Sequence, residues 1–237
     1  MLEIRQLTQH CWYTNSEPDT DRPSLGYILS ESGKAIVVDA GNSPMHYREF
    51  LAVLDQHHLP HPSFCLITHW HWDHTLGIPE VAAPVIASDK TQSHLRKMEQ
   101  WTHEEIESFY EKEEFARAEY PSSDLISPKS ADIVFTDKIS INLDDLTVEA
   151  FHVDGPHSDD STLIYIPKDG MVFAGDSSAG NFSLPNIAYD PHLLALYTDS
   201  VSKLNFNCFL HSHREPLDYA GTMRFLQEAK ERGYYTF

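Results

Sequence analysis

The sequence predicts an α+β fold, an αββα sandwich in which two mixed β sheets pack face to face with helices on the outer faces. Three observations predict it. The first half runs strands, helix, strand, helices, and the second half repeats strands, helix, strand, helix. That order is expected when each sheet carries its own helical cover. The helical segments have apolar residues at helical spacing, so each has one face to bury. No linker, short-period repeat or low-complexity stretch breaks the 237 residues, a length that one core can serve. A single domain over 1–237 is expected, with a helical insert at about 89–125.

The elements follow in order. Residues 3–13, 25–30 and 35–39 are rich in β-branched and aromatic side chains and are separated by Pro18, Pro23 and Ser32-Gly33, so they read as strands. Ser43-Pro44 opens a helix with a capping hydroxyl and a proline at the first helical position. Tyr47, Phe50, Leu51 and Leu54 are its buried stripe. The apolar runs 64–68 and 83–88 are the next strands. Residues 89–119 are helical, with Thr102 and Glu105 in capping-box spacing. A second strand series covers 133–135, 139–143, 146–153, 162–166 and 171–174. A helix at 192–204, a strand at 208–210 and a helix at 222–232, capped by Thr222 and stopped by Gly233, complete the chain.

Composition narrows the function. With 41% hydrophobic and 22% charged residues the chain is an ordinary globular one. Its 17 basic and 36 acidic residues give a net charge of −19, which repels phosphate backbones and argues against nucleic-acid partners. Eight glutamates lie between Glu99 and Glu119, against Lys112 and Arg117; they read as a solvated acidic helix face. No apolar run approaches the roughly 18–20 residues that span a bilayer. Met1-Leu2-Glu3-Ile4-Arg5 lacks the basic region and apolar core of an export signal. Cys11, Cys65 and Cys208 are odd in number and widely spaced, as expected of buried free thiols. A cytoplasmic protein with no membrane partner is expected.

The chemistry is concentrated in His69-Trp70-His71-Trp72-Asp73-His74, at the end of an apolar strand. In an extended segment residues two apart project to one side, so His69 and His71 can converge on one ion. Asp73 and His74 leave the backbone in different directions and suit a second ion beside it. Three further strand ends carry candidate ligands: His157 after a Gly-Pro turn, Asp176 after Gly175, and His211 or His213 after Leu210. Imidazole and carboxylate donors suit zinc first, and iron or manganese also. Asp39, after another strand, reads as a group that hydrogen-bonds the histidine loop rather than as a ligand. His10, His46, His57, His58, His61, His94, His103 and His192 read as surface or satisfied core residues. Trp70 and Trp72 read as packing, and Asp159 and Asp160 as holders of turn amides.

Taken in order, His69-x-His71-x-Asp73-His74, His157, Gly175-Asp176 and a late histidine after an apolar strand resemble the metallo-β-lactamase superfamily, from Val37-Val38-Asp39-Ala40-Gly41 to His213. The resemblance implies the αββα fold and two divalent ions. It implies that His69, His71 and His157 hold the first, that Asp73, His74 and His213 hold the second, and that Asp176 bridges them. Aligning His211-Ser212-His213 on the family's Pro-Gly-His makes His213 the ligand and puts His211 behind it. Two such ions make hydroxide available near neutral pH and polarise the oxygen under attack, with Asp73 orienting a metal-bridging hydroxide and taking its proton. The expected function is a metal-dependent hydrolase of a small-molecule ester, thioester or lactone. The alternatives are a β-lactamase-like amide hydrolase, which His157-Ser158-Asp159-Asp160-Ser161 resembles, a phosphodiesterase, and a non-catalytic metal-binding protein. His71 sets the chain apart from redox members of the superfamily, which carry glutamate there.

Overall fold

The computed structural model describes residues 2–235. Met1, Thr236 and Phe237, the ends of the segments read above, lie outside the described residues. Strands β1 (Ile4–Gln6), β2 (Cys11–Thr14), β3 (Gly26–Leu29) and β4 (Ala35–Val38) form an antiparallel meander. Strands β5 (Phe64–Leu66), β6 (Val85–Ser88) and β7 (Ile133–Phe135) then add in parallel, giving seven strands in chain order. The stretch 3–13, expected as one strand, is two, because the amides of Leu7 and Thr8 both donate to the Cys11 carbonyl and turn the chain.

The second sheet holds β8 (Lys138–Asn142), β9 (Thr147–His152), β10 (Thr162–Ile166), β11 (Met171–Gly175) and β12 (Cys208–His211), in the order β12-β11-β10-β9-β8. Its only parallel pair among the described residues is β11 with β12. Strand β7, grouped with this series from the sequence, instead closes the first sheet. A parallel partner needs a long crossover, and the helical insert between β6 and β7 supplies it.

Helix α1 (Pro44–Gln56) starts where the sequence predicts, with the His46 amide donating to Ser43 Oγ at 3.0 Å. A one-turn helix α2 (Trp72–Thr75) interrupts the histidine run. The insert is α3 (Asp89–Glu99), α4 (His103–Lys112) and α5 (Glu114–Glu119), and the capping box at Thr102 and Glu105 is formed. Helices α6 (Pro191–Ser202) and α7 (Tyr219–Arg232) cover the second sheet. The cap of α7 is Asp218, whose carboxylate accepts from the Gly221 amide at 2.7 Å, and not Thr222, which lies a turn inside and donates to the Asp218 carbonyl.

The strand period of two sorts the core into three layers. On β4, Ala35 and Val37 face α1 and α3 while Ile36 and Val38 face the other sheet. On β11, Met171 and Phe173 face inward and Val172 and Ala174 meet α6 and α7. Each large apolar side chain buried this way stabilises the fold by about 1.5–3 kcal/mol. Of the acidic insert, Glu119 is the exception to the exposed face: it is buried and receives a two-pronged pair of hydrogen bonds from Arg22, at 2.7 and 3.1 Å. Cys11 and Cys65 are buried free thiols as expected, whereas Cys208, at the start of β12, is only partly buried.

Phe173 fills the space over Gly26, where an added Cβ would lie 2.6 Å from its ring. The Phe173→Ala variant is expected to lose about 3–5 kcal/mol of stability, the usual result of emptying a ring-sized core site, read as a lower midpoint in urea unfolding at unchanged slope.

Candidate metal centre

Every side chain of the histidine series lies at the carboxyl end of a strand on one rim of the sandwich. His69 and His71 follow β5, Asp73 and His74 ride on α2, His157 sits in the β9–β10 loop, Asp176 follows β11, and His213 follows β12. The strands are anchored in the core, so their ends can be placed closely without a rigid loop.

The first group is three imidazoles. His69 Nε2 and His71 Nδ1 are 3.1 Å apart, His157 Nε2 is 2.9 Å from His71 Nδ1 and 3.3 Å from His69 Nε2. Burial lowers all three, His69 well below the usual histidine range and His71 to about 3, so they are neutral and offer lone pairs. The far nitrogens of His157 and His69 are occupied. His157 Nδ1 donates to the Gly180 carbonyl at 3.1 Å, and His69 Nδ1 donates to Thr68 Oγ1 at 3.1 Å.

The second group is Asp73, His74, Asp176 and His213. Asp73 Oδ2 is 3.1 Å from both His74 Nε2 and His213 Nε2. Asp176 Oδ2 is 3.5 Å from His213 Nε2, 3.7 Å from His74 Nε2 and 4.0 Å from His157 Nε2, so this one oxygen reaches both groups. Burial pulls the His74 and His213 imidazoles down, but the neighbouring carboxylates override it and hold His74 well above its usual range and His213 at about 9. Burial likewise raises Asp73 and Asp176, and the histidines override that and keep both carboxyls ionised.

Asp39 stands behind both groups. It occupies the left-handed region at φ 65°, which aspartate tolerates better than most residues. Its Oδ2 accepts from His74 Nδ1 at 2.8 Å, and its Oδ1 accepts from the Thr68 amide at 2.8 Å. Thr68 Oγ1 donates to the same carboxylate and accepts from His69. One buried carboxylate thus sets the tautomer and direction of a histidine in each group. Gly175 lets β11 approach this relay: an added Cβ would be 2.4 Å from Thr68 Oγ1.

The donors fit metal ions. Zinc–nitrogen bonds of about 2.0–2.1 Å in a tetrahedron put ligands roughly 3.3 Å apart, close to the separations among His69, His71 and His157. In the second group His74 Nε2 and Asp176 Oδ1 are buried without a hydrogen-bond partner among the described residues, as expected of donors meant for a cation. Three imidazoles that could hold one divalent ion lie beside two imidazoles and two carboxylates that could hold another.

A family model for the metallo-beta-lactamase superfamily matches residues 19–205. The chain belongs to the metallo-beta-lactamase superfamily. Among solved structures of the superfamily, a metallo-beta-lactamase from Pontibacter korlensis superposes with a TM-score of 0.65 at 17% identity, covering 96% of this chain and 99% of that one. Among its relatives are a beta-lactamase-like protein 2 homolog of Caenorhabditis elegans, 24% identical over 86% of this chain and 60% of that protein, and an atrochrysone carboxyl ACP thioesterase of Claviceps purpurea, 25% identical over 65% and 40%. The chain thus spans less than two thirds of the length of either relative.

The structure brings together all seven side chains named from the superfamily pattern. Of the two late histidines, His213 joins the second group. His211 lies behind Asp176, 3.7 Å from its Oδ1, where it accepts from the His213 amide and stacks on Tyr235. Trp70 stacks on His94 and Trp72 meets Phe109 edge-on, so both pack around the loop. Asp159 pairs with His94 at 2.9 Å and Asp160 accepts from the Ser158 hydroxyl, rather than either holding the turn amides. One neighbour was missed. Asp21, in a left-handed turn, places a carboxylate 3.7 Å from His213 Nδ1, and burial beside Asp73 pushes its carboxyl up to about 7. The turn around Pro18 and Pro23 gives no local sign of this, because its relation to His213 is purely tertiary.

Removing the shared carboxylate tests the relay. Asp39→Ala is expected to weaken divalent-ion binding by about 10–100-fold, the usual loss when a group orienting a ligand is deleted, measured by competition with a chromophoric chelator; unchanged affinity would show that His69 and His74 orient themselves.

Proposed function

We propose that the protein is a dinuclear metal-dependent hydrolase that cleaves an ester, thioester or lactone of a small molecule in the cytoplasm. The observation that carries this reading is Asp176 Oδ2, within 4.0 Å of histidines from both groups, which sets two cation sites close enough to act on one substrate. Zinc fits the donor set best, and iron or manganese would also be accepted. Two bound divalent ions supply an activated water and a positive field for the oxygen under attack.

The remaining work falls to the chain. Asp73, ionised, hydrogen-bonded to His213 and 3.1 Å from His74 Nε2, is placed to receive the proton of the attacking water. His71 turns its Nδ1 toward both His69 Nε2 and His157 Nε2, at 3.1 and 2.9 Å. Beside His157 a cleft of about 180 Å³ is lined by Lys90, Ser158, Asn181 and Leu193. The exposed Phe182 ring stands edge-on to His157 at 5.4 Å. This apolar edge beside a polar floor suits an acyl chain ending in a carbonyl. Trp101, Phe109 and Tyr110 of the insert pack against the core. The thioesterase name of one relative supports the thioester arm.

Metal analysis with a panel of p-nitrophenyl esters, acyl thioesters, lactones, nitrocefin and bis-p-nitrophenyl phosphate tests the reading. Turnover of the first three classes, lost on chelation and regained with zinc, is expected; turnover of nitrocefin or the phosphodiester alone would replace it, and no turnover by ion-loaded protein would favour a binding role. Within the active class, Asp73→Asn is expected to lower kcat by about 10²–10⁴-fold, the range for a positioned proton acceptor, and His71→Ala to abolish turnover, with far-ultraviolet circular dichroism unchanged in both. Full activity in either variant would remove that residue from the chemistry.

A further inference from the structure

A second cluster of metal-binding groups lies at the opposite end of the sandwich. The strands that deliver the centre above at their carboxyl ends begin at this far rim. Four turns meet there: β1–β2 with His10, β3–β4 with Glu31, β8–β9 with Asp145, and β10–β11 with Asp169. Two turns come from each sheet.

His10 is the informative member. It is buried, and its Nδ1 is held by Asp169 Oδ1 at 2.7 Å while the Asp169 carboxylate also accepts from the His10 amide at 2.9 Å and from the Thr8 hydroxyl. That contact leaves the proton on Nδ1 and turns the Nε2 lone pair the other way. Nε2 is fully buried and has no hydrogen-bond partner among the described residues. It faces Asp145 Oδ2 at 3.6 Å and Glu31 Oε1 at 3.8 Å. Asp145 is itself fixed, since its Oδ1 accepts from the Glu31 amide at 3.0 Å and its Oδ2 from Lys168 at 3.1 Å.

A lone pair aimed at two carboxylates, with a third carboxylate behind the ring, is the arrangement of a histidine that ligates a cation and is oriented from outside. We propose that His10, Glu31 and Asp145 form a second, structural site for a divalent cation of the zinc class, oriented by Asp169. The separations exceed by a few tenths of an ångström the roughly 3.3–3.5 Å expected around a tetrahedral zinc, and Glu31, long and 64% exposed, closes that gap by a rotamer change. Solvent takes the fourth position. Lys168 donates to the same Asp145 Oδ2 and to the Asp145 carbonyl, so that oxygen would share its lone pairs between the ammonium and the ion. The ion ties the two sheets together at the end that the catalytic metals do not reach.

Zinc binding to the whole protein, followed by inductively coupled plasma mass spectrometry after gel filtration and by calorimetric titration, tests this. Wild type is expected to hold one ion more per chain than His10→Gln and than Glu31→Gln, and to gain a rise in melting temperature at saturating zinc that both variants lack. Asp169→Asn is expected to keep the site but weaken it by about 10–100-fold. Hydrolytic turnover should be the same in all four proteins. Glu31 is exposed, so its variant reports on the ion even if His10→Gln folds poorly. Equal ion counts in wild type and Glu31→Gln, or a zinc-edge anomalous map without a peak between His10 Nε2, Glu31 and Asp145, would overturn the site.

Discussion

The arrangement of the metal centre depends on one buried carboxylate. Asp39 reaches His74 directly and His69 through Thr68, so the two ligand groups cannot be oriented independently. Such a charge is costly to bury unless it is fully paired, and here the Thr68 amide, the Thr68 hydroxyl and His74 satisfy it. The cost explains the local backbone. Asp39 is held at positive φ and Gly175 is pressed against Thr68, two constraints that make sense only if the relay must be this tight. Deleting any member leaves a buried acceptor or donor unpaired, which costs about 1–3 kcal/mol or more when the group is charged.

The helical insert is locked to the same rim by a different charge network. Arg22, buried just before β3, pairs with Glu119 at the end of α5, with Glu49 on α1 and with Glu17. Ser43, which caps α1, donates to the same Glu119 at 2.7 Å. The turn carrying Arg22 also carries Asp21, which lies against His213. The insert, the first sheet's outer helix and the second ligand group therefore share one short segment of chain. A guanidinium with two-pronged geometry does this better than an ammonium, because its hydrogen bonds fix direction as well as distance.

Most of this was legible in the sequence, and what was not has a common cause. The cluster from His69 to His74 is local, and period-two strands announce the segments that deliver His157, Asp176 and His213. Those signals depend on neighbours in the chain. The choice between His211 and His213 came from the superfamily pattern, and geometry agrees: β12 ends at His211, and the turn that begins at Ser212 breaks the alternation and carries His213 to Asp73. Strand β7 was grouped with the wrong sheet because its apolar pattern says that it is a strand and not which edge it pairs with. Asp21 and the Arg22–Glu119 pair are contacts across 97 residues or more, and composition alone reads Glu119 as one more glutamate of a solvated face. Asp218 was passed over as the cap of α7 because Thr222 also fits the capping pattern, and only the hydrogen bonds separate them.

The fold leaves the substrate open, but the charges around the cleft narrow it. Lys90 at its mouth is engaged with His152 Nε2 at 2.9 Å, and His152 is in turn 3.4 Å from Asp154. Asp154 and Asp159 both line the cleft, and the chain as a whole carries −19. An anionic group there would face two aspartates and a lysine already engaged with His152, and in a net-negative field its approach is slowed rather than steered. A neutral group bears no such cost and would meet Leu193 in the lining. The same field concentrates divalent cations at the protein surface, which favours loading a centre built from carboxylates and imidazoles. Electrostatics thus point the same way for ions and for small molecules: the net-negative field of the chain favours the approach of cations over that of anions.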